Sequence, residues 1–199
     1  MISAENLVFS YKKNKVLDGL SFSVDGGECL VFTGPNGSGK STALAIAAGI
    51  LTPDAGTVKS DGKIGYLPQS IALFTDMTVL ANLRFFAKLA GKELGKVLPL
   101  GLDELKDTRV SKLSGGQKKR LSIACTLISE PDILLLDEPC SGLDKEWQER
   151  FLNIVREKKR QGCAVIYVGH NPEEYSGFAD RILDFKVMNV NDTEIQEGE

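Results

Sequence analysis

Gly34-Pro35-Asn36-Gly37-Ser38-Gly39-Lys40-Ser41-Thr42, GPNGSGKST in one-letter code, is the stretch on which the reading of the fold turns. It contains the spacing G-x-x-x-x-G-K-S. Glycines there let the backbone wrap until its N–H groups converge on phosphate oxygens, Lys40 reaches the outer phosphates, and the Ser41 hydroxyl takes a magnesium ion. The pattern carries weight only in the right context. Cys29–Phe32, just before it, is a short apolar run suited to a buried parallel strand, and Ala43–Gly49, just after it, is rich in helix formers. Strand, glycine loop and helix together set the positive end of a helix dipole against an anion.

Composition bounds what surrounds the loop. The chain has 199 residues, a formal net charge of −3, 26% charged and 42% hydrophobic residues. These are the proportions of an ordinary globular α/β domain with room for a small insertion, and they offer no basic surface for nucleic acid. The apolar runs fall short of the roughly 18 residues that span a bilayer. The opening MISAENLVFS lacks a basic stretch followed by an apolar block, so no secretion signal is expected and the cytosol is the expected compartment. Cys29, Cys125, Cys140 and Cys163 form no C-x-x-C pair and no metal-ligand spacing, and read as reduced core residues.

Working outward, Ile2–Phe9 and Leu20–Val24 alternate apolar and polar residues, which predicts antiparallel edge strands. A turn at Asp25-Gly26-Gly27 leads into the strand that delivers the loop. Thr52–Gly62 reads as turns around one short strand, and Ile64–Leu67 as a further strand ended by Pro68-Gln69. From Ser70 to Lys112 strand character fades. Val79, Leu80, Leu83, Phe86 and Leu89 make a helical stripe, and Glu93–Leu98 suggests a second short helix. Beyond Leu113–Gln117 the residues Leu121, Ala124, Cys125 and Ile128 recur at helical spacing. Ile133–Leu136 and Ala164–Val168 are continuous apolar runs, as in buried parallel strands. Between them Lys145–Arg160 is amphipathic, with Trp147, Phe151, Ile154 and Val155 on one face, and Arg181–Phe185 reads as a last strand. The expected organisation is an α/β body over 1–69 and 113–190, a helical subdomain over 70–112 and a polar tail over 191–199.

Two further stretches carry chemistry. The run ILLLDE places Asp137 and Glu138 at the carboxyl end of a strand, where ligands of open α/β sheets bind. Asp137 suits a second hold on magnesium, and Glu138 suits orienting or deprotonating an attacking water. Leu113-Ser114-Gly115-Gly116-Gln117 opens a helix with two glycines, a second anion site built from backbone N–H groups. One chain thus carries two phosphate-binding helix starts, and a simple small-molecule kinase has no need of the second.

On these residues the chain resembles the nucleotide-binding domain of an ATP-binding cassette (ABC) ATPase over nearly its whole length. GPNGSGKST resembles the Walker A motif, LSGGQ the family signature, and ILLLDE the Walker B motif with its catalytic glutamate. Ser141-Gly142-Leu143-Asp144 resembles the D-loop, Gln69 the Q-loop glutamine, His170 the switch histidine, and Tyr11 the aromatic residue that stacks on adenine. His170 is the single histidine of the chain, and its place at a strand end favours a γ-phosphate contact. Tyr11 read on its own is as well explained as a surface aromatic on an edge strand. Two positions depart from the pattern: Cys140, where relatives often carry threonine or a small or aromatic residue, and Gly169, where a hydroxyl residue often precedes the histidine.

The resemblance implies a P-loop α/β fold with a mainly parallel central sheet, an antiparallel edge subdomain and an inserted helical subdomain. It implies ATP and Mg²⁺ as ligands. Catalysis falls to Glu138, His170, Lys40 and Gln69, and the metal to Ser41, Gln69 and Asp137. Nucleotide contacts fall to Tyr11, to Gly34 through Thr42, to Ser114 through Gln117, and to Asp144. It further implies a second ABC ATPase subunit (another copy or a paralogue) paired head to tail, separate transmembrane permease subunits, and a place at the inner face of the membrane. The permease is expected beside Gln69. There Leu73, Phe74, Met77, Phe85 and Phe86 either face a partner or pack within the insertion. The competing reading is an ABC-type ATPase without a transporter, for example in iron–sulfur cluster assembly. The stretch from Gln69 to Leu113 is too short for the long coiled coils of repair types. A guanine-specific site is disfavoured, because Asn14-Lys15-Val16-Leu17 lacks the aspartate that reads guanine.

Overall fold

The computed structural model describes residues 1–70, 72–95 and 98–185. Its strands in chain order are β1 (Ile2–Tyr11), β2 (Asn14–Val24), β3 (Cys29–Thr33), β4 (Ala55–Ser60), β5 (Ile64–Leu67), β6 (Ile133–Asp137), β7 (Ala164–Val168) and β8 (Arg181–Asp184). The helices are α1 (Lys40–Ala47), α2 (Val79–Leu89), α3 (Gly115–Leu127), α4 (Lys145–Arg160) and the single turn α5 (Pro172–Tyr175). Three strands form an antiparallel sheet in the order β2-β1-β4, and five form a parallel sheet in the order β5-β6-β7-β3-β8.

The apolar runs of the sequence are explained by what covers the parallel sheet. Every residue of β6 and β7 is buried, because both faces of the sheet are packed. Strand alternation sends Leu30, Phe32, Ile133, Leu135, Ile166 and Val168 to one face, against Ala43 and Leu44 of α1 and the inner side of the antiparallel sheet. It sends Val31, Leu134, Leu136, Val165 and Tyr167 to the other, against Phe151, Leu152 and Val155 of α4. A third cluster joins Val79 and Leu83 of α2 to Val110, Leu113, Leu121 and Ala124, and fastens the inserted segment onto α3. All four cysteines are buried thiols. Burial pushes Cys29 and Cys125 up to about 12, and Cys140 and Cys163 up to about 11.

Three expectations need revision. The first two strands are longer than the alternation suggests, because β1 and β2 run almost to the tip of their hairpin with Tyr11 paired to Asn14. No helix covers the described part of Glu93–Leu98. Beyond α2 the insertion descends through three 3₁₀ turns at Pro99–Gly101, Asp103–Leu105 and Val110–Lys112. Leu89 does not join the buried stripe of α2 and is 74% exposed, whereas Asn82 is fully buried. Asn82 accepts from the Phe74 N–H at 3.0 Å and donates to the carbonyls of Phe74 at 3.1 Å and Thr78 at 3.0 Å. A polar residue can occupy a core position when each of its groups is satisfied in this way. The tail over 191–199 lies outside the described residues.

Candidate nucleotide-binding and catalytic site

The loop between β3 and α1 adopts the shape its glycines permit. Gly39 caps α1 at φ +99°, and a β-carbon there would meet Leu17 Cδ2 at 2.8 Å and the Val16 carbonyl oxygen at 3.0 Å. Both backbone and space therefore demand glycine at this position. Inside the loop the Lys40 ammonium donates to the carbonyls of Gly34 at 2.9 Å and Pro35 at 2.7 Å. It lies 3.5 Å from Ser38 Oγ. Lys40 is buried, and burial lowers its pKa while Glu138, Asp137 and Asp184 hold it up. The lysine is thus kept inside the loop by backbone oxygens and nearby carboxylates rather than extended into solvent.

Around this loop lies a cavity of ≈ 600 Å³ lined by Tyr11, Val16, Asn36, Gly37, Gly39, Lys40, Ser41, Thr42, Gln69, Glu138 and His170. Residues far apart in sequence converge here because β3, β5, β6 and β7 all end at the same edge of the parallel sheet. Glu138 is held between two of them. Gln69 Nε2 donates to its Oε2 at 2.9 Å, and His170 Nε2 stands 3.0 Å from its Oε1. The Glu138 backbone sits at φ +45°, in the left-handed region that disfavours side-chain-bearing residues, and its N–H donates to Val168 O at 3.0 Å. Such strain persists only where surrounding contacts impose it, and it turns the carboxylate out of the strand toward the loop.

Asp137, one residue earlier, is 2% exposed, and its Oδ1 has no hydrogen-bond partner in the protein. Desolvation raises its pKa, opposed by a hydrogen bond from Ser41 and the positive charges of Lys119 and Lys40. An orphaned carboxylate oxygen beside a serine hydroxyl at a phosphate loop fits a hard divalent cation that takes oxygen ligands. Lys119 of α3 belongs to none of the sequence motifs. It is buried and interacts with Asp137 and Glu138, and burial lowers its pKa. No local pattern marks it, since it stands in the polar run Gln117-Lys118-Lys119-Arg120.

The second phosphate-type helix start lies elsewhere. Ser114 caps α3 by a reciprocal capping box: its N–H donates to Gln117 Oε1 at 2.9 Å, and its Oγ accepts from the Gln117 N–H at 3.3 Å. Ser114, Gly115, Gly116 and Gln117 do not line the cavity, nor does Asp144, which caps α4 by accepting from the Trp147 N–H at 3.0 Å. The two segments are neighbours, since a β-carbon on Gly116 would lie 3.0 Å from Gly142 O. The structure therefore gathers the loop, Gln69, Glu138, His170 and Tyr11 at one place. The signature segment lies outside that cavity beside Gly142, while Ser141 and Gly142 of the D-loop line a smaller cleft together with Glu138 and His170.

A parallel sheet with a glycine phosphate loop, a carboxylate pair at the next strand end and a separate signature helix defines a P-loop nucleotide-binding cassette. Comparison with known proteins agrees: the profile of the family described as ABC transporter matches residues 17–141. The chain is 38% identical to an ABC transporter ATP-binding protein of Methanocaldococcus jannaschii, MJ1023, over 93% of its own length and 74% of that protein's. It is 35% identical to the linearmycin resistance ATP-binding protein LnrL of Bacillus subtilis over 92% of its own length, and spans 65% of that relative. Among solved structures, the dimeric bacterial ABC transporter cassette MJ0796 superposes with a TM-score of 0.81 at 26% identity, covering 92% of this chain and 94% of that one. The chain belongs to the ABC transporter family as an ATP-binding cassette.

Proposed function

We propose that the chain binds ATP with Mg²⁺ and hydrolyses it as the motor subunit of a membrane transporter, working as a pair of cassettes. The observation that carries this reading is Glu138 held between Gln69 and His170 over the Lys40 loop. Ser41, Asp137 and Gln69 would hold the metal, which when bound neutralises charge developing on the phosphate oxygens. Gly34 through Thr42 hold the phosphates, and Lys40 is the cation within reach of the outer ones. Tyr11, 53% exposed at the mouth of the cavity and edge-on to Phe9, offers a ring face for the adenine. Glu138 takes the proton of the attacking water, and Gln69 and His170 fix its two oxygens so that the carboxylate points one way.

Pairing follows from the separation of the two anion sites. Ser114 through Gln117 and Asp144 lie away from the chain's own cavity, so they serve the nucleotide held by a neighbour. The related MJ0796 cassette is dimeric. Permease contact is supported by the surface beside Gln69. Phe74, Met77 and Phe85 are 42%, 40% and 43% exposed. Phe85 packs edge-on to Phe86, which lines an apolar groove of ≈ 600 Å³ between β5, α2 and α3. Leu73 and Phe86 instead pack into the insertion's own cluster, so the five apolar residues divide between the two roles. Among the described residues no helix is long and apolar enough to cross a membrane; the proposal assigns the transport path to separate permease subunits, with this chain at the inner membrane face. A transport role is favoured over a free-standing ATPase by relatives whose names are those of transporter ATP-binding proteins.

The test is ATP turnover with Mg²⁺ in the concentrated protein. Glu138→Gln is expected to keep nucleotide affinity and lose turnover by at least about 100-fold. Turnover at the wild-type rate in that variant would remove Glu138 from the proton-accepting role.

A further inference from the structure

Tyr167 is fully buried in β7, three residues ahead of His170. Its hydroxyl donates to Glu174 Oε2 at 2.5 Å and lies 3.5 Å from Cys140 Sγ. The phenol has one proton, and the carboxylate is the stronger acceptor, which leaves the phenol oxygen to receive the Cys140 thiol proton. Cys140 lies two residues beyond Glu138, and Glu174 sits in the turn entered directly from His170. One side chain therefore joins the segments that carry both partners of the Glu138–His170 contact.

The same ring explains Gly169. A β-carbon there would stand 2.5 Å from Tyr167 Cε1 and 3.2 Å from Cδ1. Gly169 is not among the glycines with positive φ, so the backbone does not require glycine; the ring does. Nor can the ring retreat, because it packs at 6.2 Å from the Tyr175 ring and edge-on to Phe178 at 5.7 Å. The two positions where the chain departs from the ABC pattern, Cys140 and Gly169, thus meet at one tyrosine. A fully buried hydroxyl is costly unless it is bonded, and here its bonds reach across two loops.

We propose that Tyr167 is a positioning residue for the reaction. It locks the Glu138–Cys140 segment to the Gly169–Glu174 segment, so that His170 stays in contact with Glu138, and Gly169 is glycine to admit it. The proposal rests on the reading of Glu138 and His170 given above. Its test does not depend on turnover alone, because His170 is the only histidine and its ring protons give the only histidine signals in an NMR spectrum of the full chain.

Tyr167→Phe keeps the ring and removes the hydroxyl. It should move the His170 ring signals and lower kcat by about tenfold, with KM for ATP unchanged within about twofold. Gly169→Ala should lower kcat by at least about tenfold through the clash with the ring, and adding Tyr167→Val should return it to the level of Tyr167→Val alone. His170 signals left at their wild-type positions in Tyr167→Phe would overturn the proposal. So would a Gly169→Ala defect that persists undiminished beside Tyr167→Val. A wild-type protein with no turnover would contradict the functional reading instead, and the His170 signals would still decide the placement.

Discussion

On the proposed function Asp137 is a single residue that trades stability for a ligand. Its folded-state pKa is raised by burial, so the native protein holds this proton more tightly than the unfolded chain does. Ionisation therefore opposes folding: stability falls as pH rises above the ordinary aspartate value of 3.8 toward the raised one, and the loss persists at neutral pH. Asp137→Asn should accordingly stabilise the nucleotide-free protein by about 1–3 kcal/mol at pH 7, read as a higher melting temperature. The same variant should lose the further stabilisation that Mg²⁺-ATP gives the wild type. A lower melting point for the metal-free variant would show that the buried carboxylate is already satisfied. Lys40, by contrast, has its ammonium hydrogen-bonded to the carbonyls of Gly34 and Pro35.

At the scale of elements, the inserted segment and the start of α3 carry separable tasks. The insertion is pinned by Asn82, whose three hydrogen bonds close the turn ahead of α2. Asn82→Ala should cost about 1–3 kcal/mol in chemical denaturation, because the Phe74 N–H loses its acceptor and a fully buried side chain loses its hydrogen bonds. A cost under about 0.5 kcal/mol would mean the turn closes without it. The start of α3 faces outward with Ser114 exposed. Ser114→Arg should leave nucleotide affinity of the isolated chain unchanged while weakening ATP-dependent pairing, measured by sedimentation; unchanged pairing would argue against a shared site.

These elements also show how much the sequence disclosed. The glycine loop, the ILLLDE run and the LSGGQ turn were legible because each depends on local spacing. The buried strands were legible because a continuous apolar run must be covered on both faces, as the inner strands of a parallel sheet are. Asn82, Lys119 and Tyr167 were not legible as functional positions. Asn82 and Tyr167 are polar groups inside apolar stretches and Lys119 is one lysine in a polar run, and the partners of each are set by tertiary contacts that no local pattern encodes. The 3₁₀ turns after α2 escaped for a related reason. A segment pinned by Leu102 and Val110 to a neighbouring helix needs no periodicity of its own.

For the whole molecule, the central claim is that one chain holds half of two sites. Its cavity carries the phosphate loop, Gln69, Glu138 and His170, whereas Ser114 through Gln117 and Asp144 do not line that cavity and on the proposed function would complete the site of another cassette. On the proposed function nucleotide would act as glue between chains, and hydrolysis would release them. The most direct measurement is the mass in solution of Glu138→Gln, by sedimentation, with Mg²⁺-ATP and with Mg²⁺-ADP. A dimer of about twice 21.6 kDa in ATP that returns to monomer in ADP is the expected result. A monomer in both nucleotides, in protein shown to bind ATP, would contradict it.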